Sequence, residues 1–169
     1  ILFTHDKYQK NKDIIKLSAF LKRKKIDTEI LLQSSKNVKV ISTGENVQPS
    51  SKINTTSLKS YGLIIVFGGD GLFLSASKFA YFLNIPILGI NFGKIGFLVD
   101  VDKKDILKKV YEIIMGDYII DKRMLIDANV QDANDNKITS TSLNDIVVYN
   151  YGLLKMIQAK IYINNFLVN

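Results

Sequence analysis

At 169 residues the chain is long enough for one domain or two small ones, against about 150 residues per domain, and too short for a large multidomain machine. The absence of cysteine excludes a disulfide framework, a thiolate metal site and a cysteine nucleophile, and a single histidine, His5, argues against a His-based metal centre or a Ser-His-Asp triad. With 47% hydrophobic and 23% charged residues, no bilayer-length apolar run and no signal-peptide pattern, the composition reads as globular without a membrane partner; the formal charge of +7 is the one bulk value that suggests an anionic partner.

Residues 1–4 form a short apolar run suited to a buried strand, and Ile14, Leu17 and Leu21, with Phe20 beside them, recur at helical spacing. Lys22, Arg23, Lys24 and Lys25 close that helix, where cations favour the carbonyl end of the dipole. Residues 28–32 read as the next strand. From 33 to 60 the composition shifts to Ser, Asn, Thr, Gly and Lys, broken only by the apolar run 38–41, and most of this stretch reads as loop outside the core. The charge excess lies wholly in residues 1–60, which hold 12 Lys plus Arg against 5 Asp plus Glu, whereas the remaining residues hold 11 of each. Only Arg23 and Arg123 are arginines. Because base and phosphate recognition favours the planar guanidinium, the excess reads as a lysine-coated face and no specific nucleic-acid partner is expected.

Order returns at residues 63–67, LIIVF, a continuous apolar run that suits a strand covered on both faces. Gly68, Gly69, Asp70 and Gly71 follow, then a helical stretch from about Leu72 to Phe82. Residues 87–90 are another buried-type strand, preceded by Pro86 and leading into the glycine-spaced segment Gly89, Gly93, Gly96. Asp102 can cap a helix carrying Ile106, Leu107, Val110, Ile113 and Ile114, and Gly116 can end it. Beyond it, residues 118–130, 142–149 and 156–168 are rich in Ile, Val and Tyr, with a turn signal at 132–136 and no helical period. These patterns predict an α/β lobe over residues 1–117 and the start of an all-β domain over 118–169.

The sharpest chemical feature is the run 63–74, LIIVFGGDGLFL, in which a buried strand passes through four tight residues into a helix. Glycines let backbone N–H groups approach a phosphate, and a helix N-terminus adds partial positive charge. An acidic residue in such a turn would repel phosphate unless it has another task, such as holding Mg2+ through water or accepting a hydrogen bond from a hydroxyl that attacks phosphorus. A plain glycine-rich turn with Asp70 as its helix cap fits the residues equally well.

The Gly68-Gly69-Asp70-Gly71 element resembles the signature of the GGDG kinase superfamily, which includes NAD kinases and the diacylglycerol and sphingosine kinases. Three further elements in order narrow the resemblance to the NAD kinase family: residues 86–100, PILGINFGKIGFLVD; residues 122–125, KRML; and residues 143–147, LNDIV, followed by 155–157, KMI. The similarity runs from about Leu63 onward. It implies a Rossmann-like N-terminal lobe and a β domain, and ATP-dependent phosphorylation of the 2'-hydroxyl of the adenosine ribose of NAD, giving NADP. It also implies Asp70 as base or orienter for that hydroxyl, Gly68, Gly69 and Gly71 close to the diphosphate, Phe97 near the adenine, Asn144 and Asp145 as dinucleotide contacts, and Lys155 as a further NAD contact. A core phenylalanine, a strand-edge turn and a solvated lysine are the structural alternatives for Phe97, for the Asn144-Asp145 pair and for Lys155. ATP, NAD and a divalent metal, with Mg2+ first, are the implied cofactors, in a cytoplasmic homo-oligomer; no protein residue is assigned as a metal ligand.

Three departures stand out. Leu72 occupies a position where the family usually has Thr, Asp145 replaces the usual Glu and is one methylene shorter, and the chain stops before the family's further Gly-Asp-Gly and Thr-Ala-Tyr segments. The expectation is therefore a fragment without the segment that completes the family's NAD site. A lipid kinase of the same superfamily and a non-catalytic dinucleotide-binding module are the alternatives.

Overall fold

The Ile-, Val- and Leu-rich runs of the first hundred residues assemble into one sheet covered on both faces. The computed structural model describes residues 1–34, 38–42, 58–93, 96–99, 101–149 and 158–168. They divide into two units, Ile1–Leu125 and Ile126–Asn169.

The first unit contains strands β1 (Leu2–His5), β2 (Glu29–Gln33), β3 (Val38–Ser42), β4 (Ile64–Gly68), β5 (Ile87–Asn91) and β6 (Val101–Asp102). Its helices are α1 (Lys12–Arg23), α2 (Asp70–Leu83) and α3 (Ile106–Ile114). The sheet order is β3-β2-β1-β4-β5-β6, and every pairing is parallel except that of β2 with β3. This is a Rossmann-like α/β lobe. Its departure from an all-parallel sheet lies in residues 38–42, the apolar run inside the loop-like stretch, which forms an antiparallel edge strand from Glu29 opposite Ser42 to Gln33 opposite Val38.

β4 lies at the centre and is buried along its whole length, which explains why its sequence shows no polar alternation. Phe3, Ile64 and Val66 face α2, whose Ala76 and Ala80 let the helix approach the sheet closely. Leu2, Ile65, Phe67 and Ile90 face the other way, onto Ile14, Leu17 and Leu21 of α1 and Ile106 and Val110 of α3. Burying each large side chain of these layers contributes about 1.5–3 kcal/mol.

The helix ends follow local chemistry. Asn11 caps α1 by accepting the Asp13 N–H at 2.8 Å, and the lysine-rich run closes it at Lys24. α2 begins at Asp70, two residues before its apolar period, because extended Gly69 serves as its N-cap, and it ends on Asn84 in the left-handed region. Asp102 caps a 3-10 turn over Lys103–Asp105 that leads into α3, not α3 itself.

The second unit contains β7 (Ile126–Gln131) and β8 (Lys137–Ser142), an antiparallel hairpin, and β9 (Tyr162–Ile163) and β10 (Phe166–Leu167), joined by Asn164 and Asn165 with both φ angles positive, as a tight two-residue hairpin loop requires. Ile126, Ala128, Val130, Ile138, Ser140 and Ser142 share one face of the larger hairpin; on the other, Thr139 and Thr141 donate across to Asn129 and Asp127. Residues 118–125 and 143–149 have strand-like composition but form no strand. The hairpin register pairs Ile126 with Ser142, so they fall beyond the ladder.

Candidate active site

The chain leaves β1 toward β2 and leaves β4 toward β5, so the direction of winding reverses between β1 and β4. Right-handed crossovers then place α1 and α2 on opposite faces, and a crevice opens at the carboxyl ends of the two strands. Thr4 Oγ1 closes the seam below it by donating to the Phe67 carbonyl at 3.3 Å.

The glycine loop sits at this crevice, and its glycines are not equivalent. A Cβ on Gly68 would lie 2.6 Å from Leu72 Cδ2 and 2.9 Å from Leu72 Cβ, so this glycine answers to internal packing. A Cβ on Gly69 or Gly71 would meet nothing within 4 Å. Gly69 is extended, with φ −107° and ψ −171°, and gives α2 no side-chain cap. Leu72, at the family's usual Thr position, is half-buried against the core.

Asp70 is the first residue of α2, where the helix dipole favours a carboxylate. Its Oδ2 accepts the Phe97 N–H at 2.8 Å, and its Oδ1 accepts the Leu98 N–H at 3.1 Å. These bonds span 27 and 28 residues and join the two glycine-rich segments. Gly96 makes the approach possible, since a Cβ there would fall 2.2–2.4 Å from the Asp70 carboxylate atoms. Phe97 itself is 98% exposed and is not a core phenylalanine.

Several contributors were not anticipated from sequence. Asn91 Oδ1 accepts the Gly93 N–H at 2.8 Å, and the Phe92 N–H donates to the Gly68 carbonyl at 3.2 Å. The Phe92 ring meets Phe67 edge-on at 5.5 Å and Tyr8 at 5.6 Å, fixing the exit of β5 beside the loop. The 89-93-96 glycine spacing was the available signal for Gly96, whereas nothing in the sequence marked the Tyr8-Phe92-Phe67 cluster.

In the second unit Asn144 and Asp145 are both exposed, and Asn144 Nδ2 donates to Asp145 Oδ1 at 3.0 Å. Lys155 lies outside the described residues. Among the described residues no group of three or more His, Cys, Asp or Glu side chains converges to hold a metal, and no helix is long and apolar enough to cross a membrane.

A family model described as the ATP-NAD kinase N-terminal domain matches residues 9–118. Among curated relatives, an NAD kinase from Buchnera aphidicola subsp. Baizongia pistaciae is 36% identical over 117 residues, covering 67% of this chain and 40% of that protein. An NAD kinase from Pseudomonas entomophila is 35% identical over 140 residues, covering 80% and 47%. One from Teredinibacter turnerae is 39% identical over 103 residues, covering 61% and 35%. The matched part is thus less than half the length of each of these relatives. The order β3-β2-β1-β4-β5-β6, the glycine loop at the reversal point and the family match over 9–118 agree, and the chain belongs to the NAD kinase family.

Proposed function

We propose that this chain is part of an enzyme that transfers the γ-phosphoryl group of ATP to the 2'-hydroxyl of the adenosine ribose of NAD, giving NADP and ADP. The observation that carries the reading is Asp70, a carboxylate on the first residue of a helix at the topological reversal, flanked by two glycines with open space in front of them. In the step itself the ribose 2'-oxygen bonds to the γ-phosphorus, the bond from that phosphorus to the bridging oxygen breaks, and the hydroxyl proton passes to Asp70. Each carboxylate oxygen has two acceptor positions, so Asp70 can hold its two backbone N–H groups and still take the hydroxyl.

Gly69 and Gly71 leave room for a diphosphate at the start of α2, with Gly68 shaping the turn behind them. The exposed Phe97 ring suits stacking on adenine. Asn144, Asp145 and Lys155 supply further polar contacts to the dinucleotide. Mg2+ enters with the triphosphate, which suits an ion that keeps most of its ligands as water and phosphate. The apolar stripe of Ile126, Val130 and Ile138, exposed in the second unit, supports a β domain continued by further strands; a cytoplasmic homo-oligomer is what membership of the family suggests.

The test is a direct assay of the full-length protein with Mg-ATP, offering NAD and diacylglycerol in parallel. NADP formation that is lost in Asp70→Ala is expected. Phosphorylated lipid without NADP, or NAD binding without turnover, would overturn the assignment.

A further inference from the structure

We propose that Asp70 has a second task, as the anchor that holds the Phe97-bearing segment at the crevice, with Gly96 as the positioning residue that lets it do so. The ligand side of this inference rests on the function proposed above; the anchor itself does not. Phe97 is 98% exposed, so almost no side-chain packing fixes its place and its backbone must do so. That backbone is pinned at two points. On one side Asp70 takes the Phe97 and Leu98 N–H groups with one carboxylate oxygen each. On the other, fully buried Val99 packs over Gly89, where an added Cβ would come within 3.0 Å of it.

Gly96 is what allows the first pin. The atoms its Cβ would strike are those of a short side chain on the first residue of a helix, so relief requires the carboxylate or the segment to move. Asn offers one acceptor oxygen, and its NH2 group would face the second backbone N–H, so Asp70→Asn breaks half the anchor as well as removing the base. Turnover and affinity for NAD should therefore fall together in that variant, whereas Phe97→Ala should raise the KM for NAD and spare kcat.

Amide hydrogen exchange at Phe97 and Leu98 in the full-length protein tests the anchor without reference to activity. Gly96→Ala and Asp70→Asn are each expected to lose about tenfold of the protection, the worth of one bond to a charged acceptor. Gly93→Ala, in the same segment but with nothing within 4 Å of its Cβ, should keep it. Equal protection in all four proteins would overturn the anchor. Kinetics then test its role: Gly96→Ala and Phe97→Ala should each raise the KM for NAD about tenfold, and the KM of the double variant should be no higher than that of Phe97→Ala alone, whatever Gly96→Ala does to kcat by displacing Asp70. Multiplication of the two effects would overturn positioning through Phe97. A wild-type protein that makes no NADP would instead remove the phosphotransfer reading, and the exchange data would still decide the anchor.

Discussion

Gly68 and Gly69 are neighbours, and the structure gives them opposite reasons to be glycine, so substituting each should separate stability from turnover. In Gly68→Ala the new methyl group would sit 2.6 Å from Leu72 Cδ2 and 2.9 Å from Leu72 Cβ. The Cδ2 atom can rotate away, but the Cβ is fixed to the backbone of α2, so the first turn of that helix must shift. Overpacking of this kind costs about 1–3 kcal/mol, which for a domain of this size lowers Tm by about 3 °C or more. Gly69→Ser meets neither obstacle, since the backbone is extended and open space surrounds the Cβ. A serine there also offers the side-chain cap that α2 lacks, so stability should stay level or rise by about 0.5 kcal/mol. On the proposed function the same side chain enters the space assigned to phosphate, and kcat/KM for NADP formation should fall about tenfold or more. Thermal melts and steady-state kinetics on both variants of the full-length protein measure the two effects. A Gly69→Ser protein that is stable and fully active would refute the view that this glycine serves a ligand, and an undiminished Tm in Gly68→Ala would refute the packing account.

Phe67→Ala removes a fully buried ring that packs edge-on to Phe92, and urea denaturation should show a loss of about 3–5 kcal/mol. Asn84 holds φ 56° and ψ 47° at the end of α2, so Asn84→Gly should be neutral or stabilising and Asn84→Val destabilising by about 1–2 kcal/mol in the same assay. The Asp132 carboxyl is held below its ordinary 3.8, first by the Asn136 side chain at 2.8 Å and then by the Asn136 and Asn134 N–H groups. Because the folded value is the lower one, its contribution to the β7–β8 hairpin is complete above 3.8 and is lost as pH falls through the lowered value. NMR spectra of the 132–136 turn should therefore hold steady down to about pH 4 and change only below it, and Asp132→Ala should remove that acid transition.

The parts of the fold visible in sequence were those in which burial fixes composition. LIIVF suited a strand covered on both faces, and Ile14, Leu17 and Leu21 recurred at the spacing that lines one side of a helix; the structure buries both as that reading expects. The edge strand β3 was obscured because its apolar run is short and set among loop-forming residues; its pairing with β2 is a tertiary choice that no local period records. Ile, Val and Tyr after residue 117 signalled strands, but a strand needs a partner, and pairing stops where the Asp132 turn sets the hairpin register. At the site, the glycine loop and Asp70 were visible as a pattern. The reason for each glycine was not, because it depends on what a Cβ would strike: Leu72 at Gly68, open space at Gly69 and Gly71, and at Gly96 a carboxylate 26 residues away in the chain.

The run 63–74 contains neither Lys nor Arg, and its one charged residue, Asp70, is negative. The lysine excess is confined to residues 1–60, and part of it lies on α1, which packs on the face of the sheet opposite α2. On the proposed reading, phosphate charge at this loop is therefore met by backbone N–H groups, by the α2 dipole and by the metal carried on the triphosphate. The exposed lysines of α1 act differently. They can raise the local concentration of an anionic nucleotide, but exposed charges more than about 8 Å away are largely screened at physiological ionic strength. Backbone dipoles in a crevice are screened much less. Raising the salt concentration should accordingly slow nucleotide capture while leaving kcat nearly constant, so that kcat/KM falls and kcat does not. A kcat that declined in step with kcat/KM would mean that the lysine face acts at the phosphates themselves.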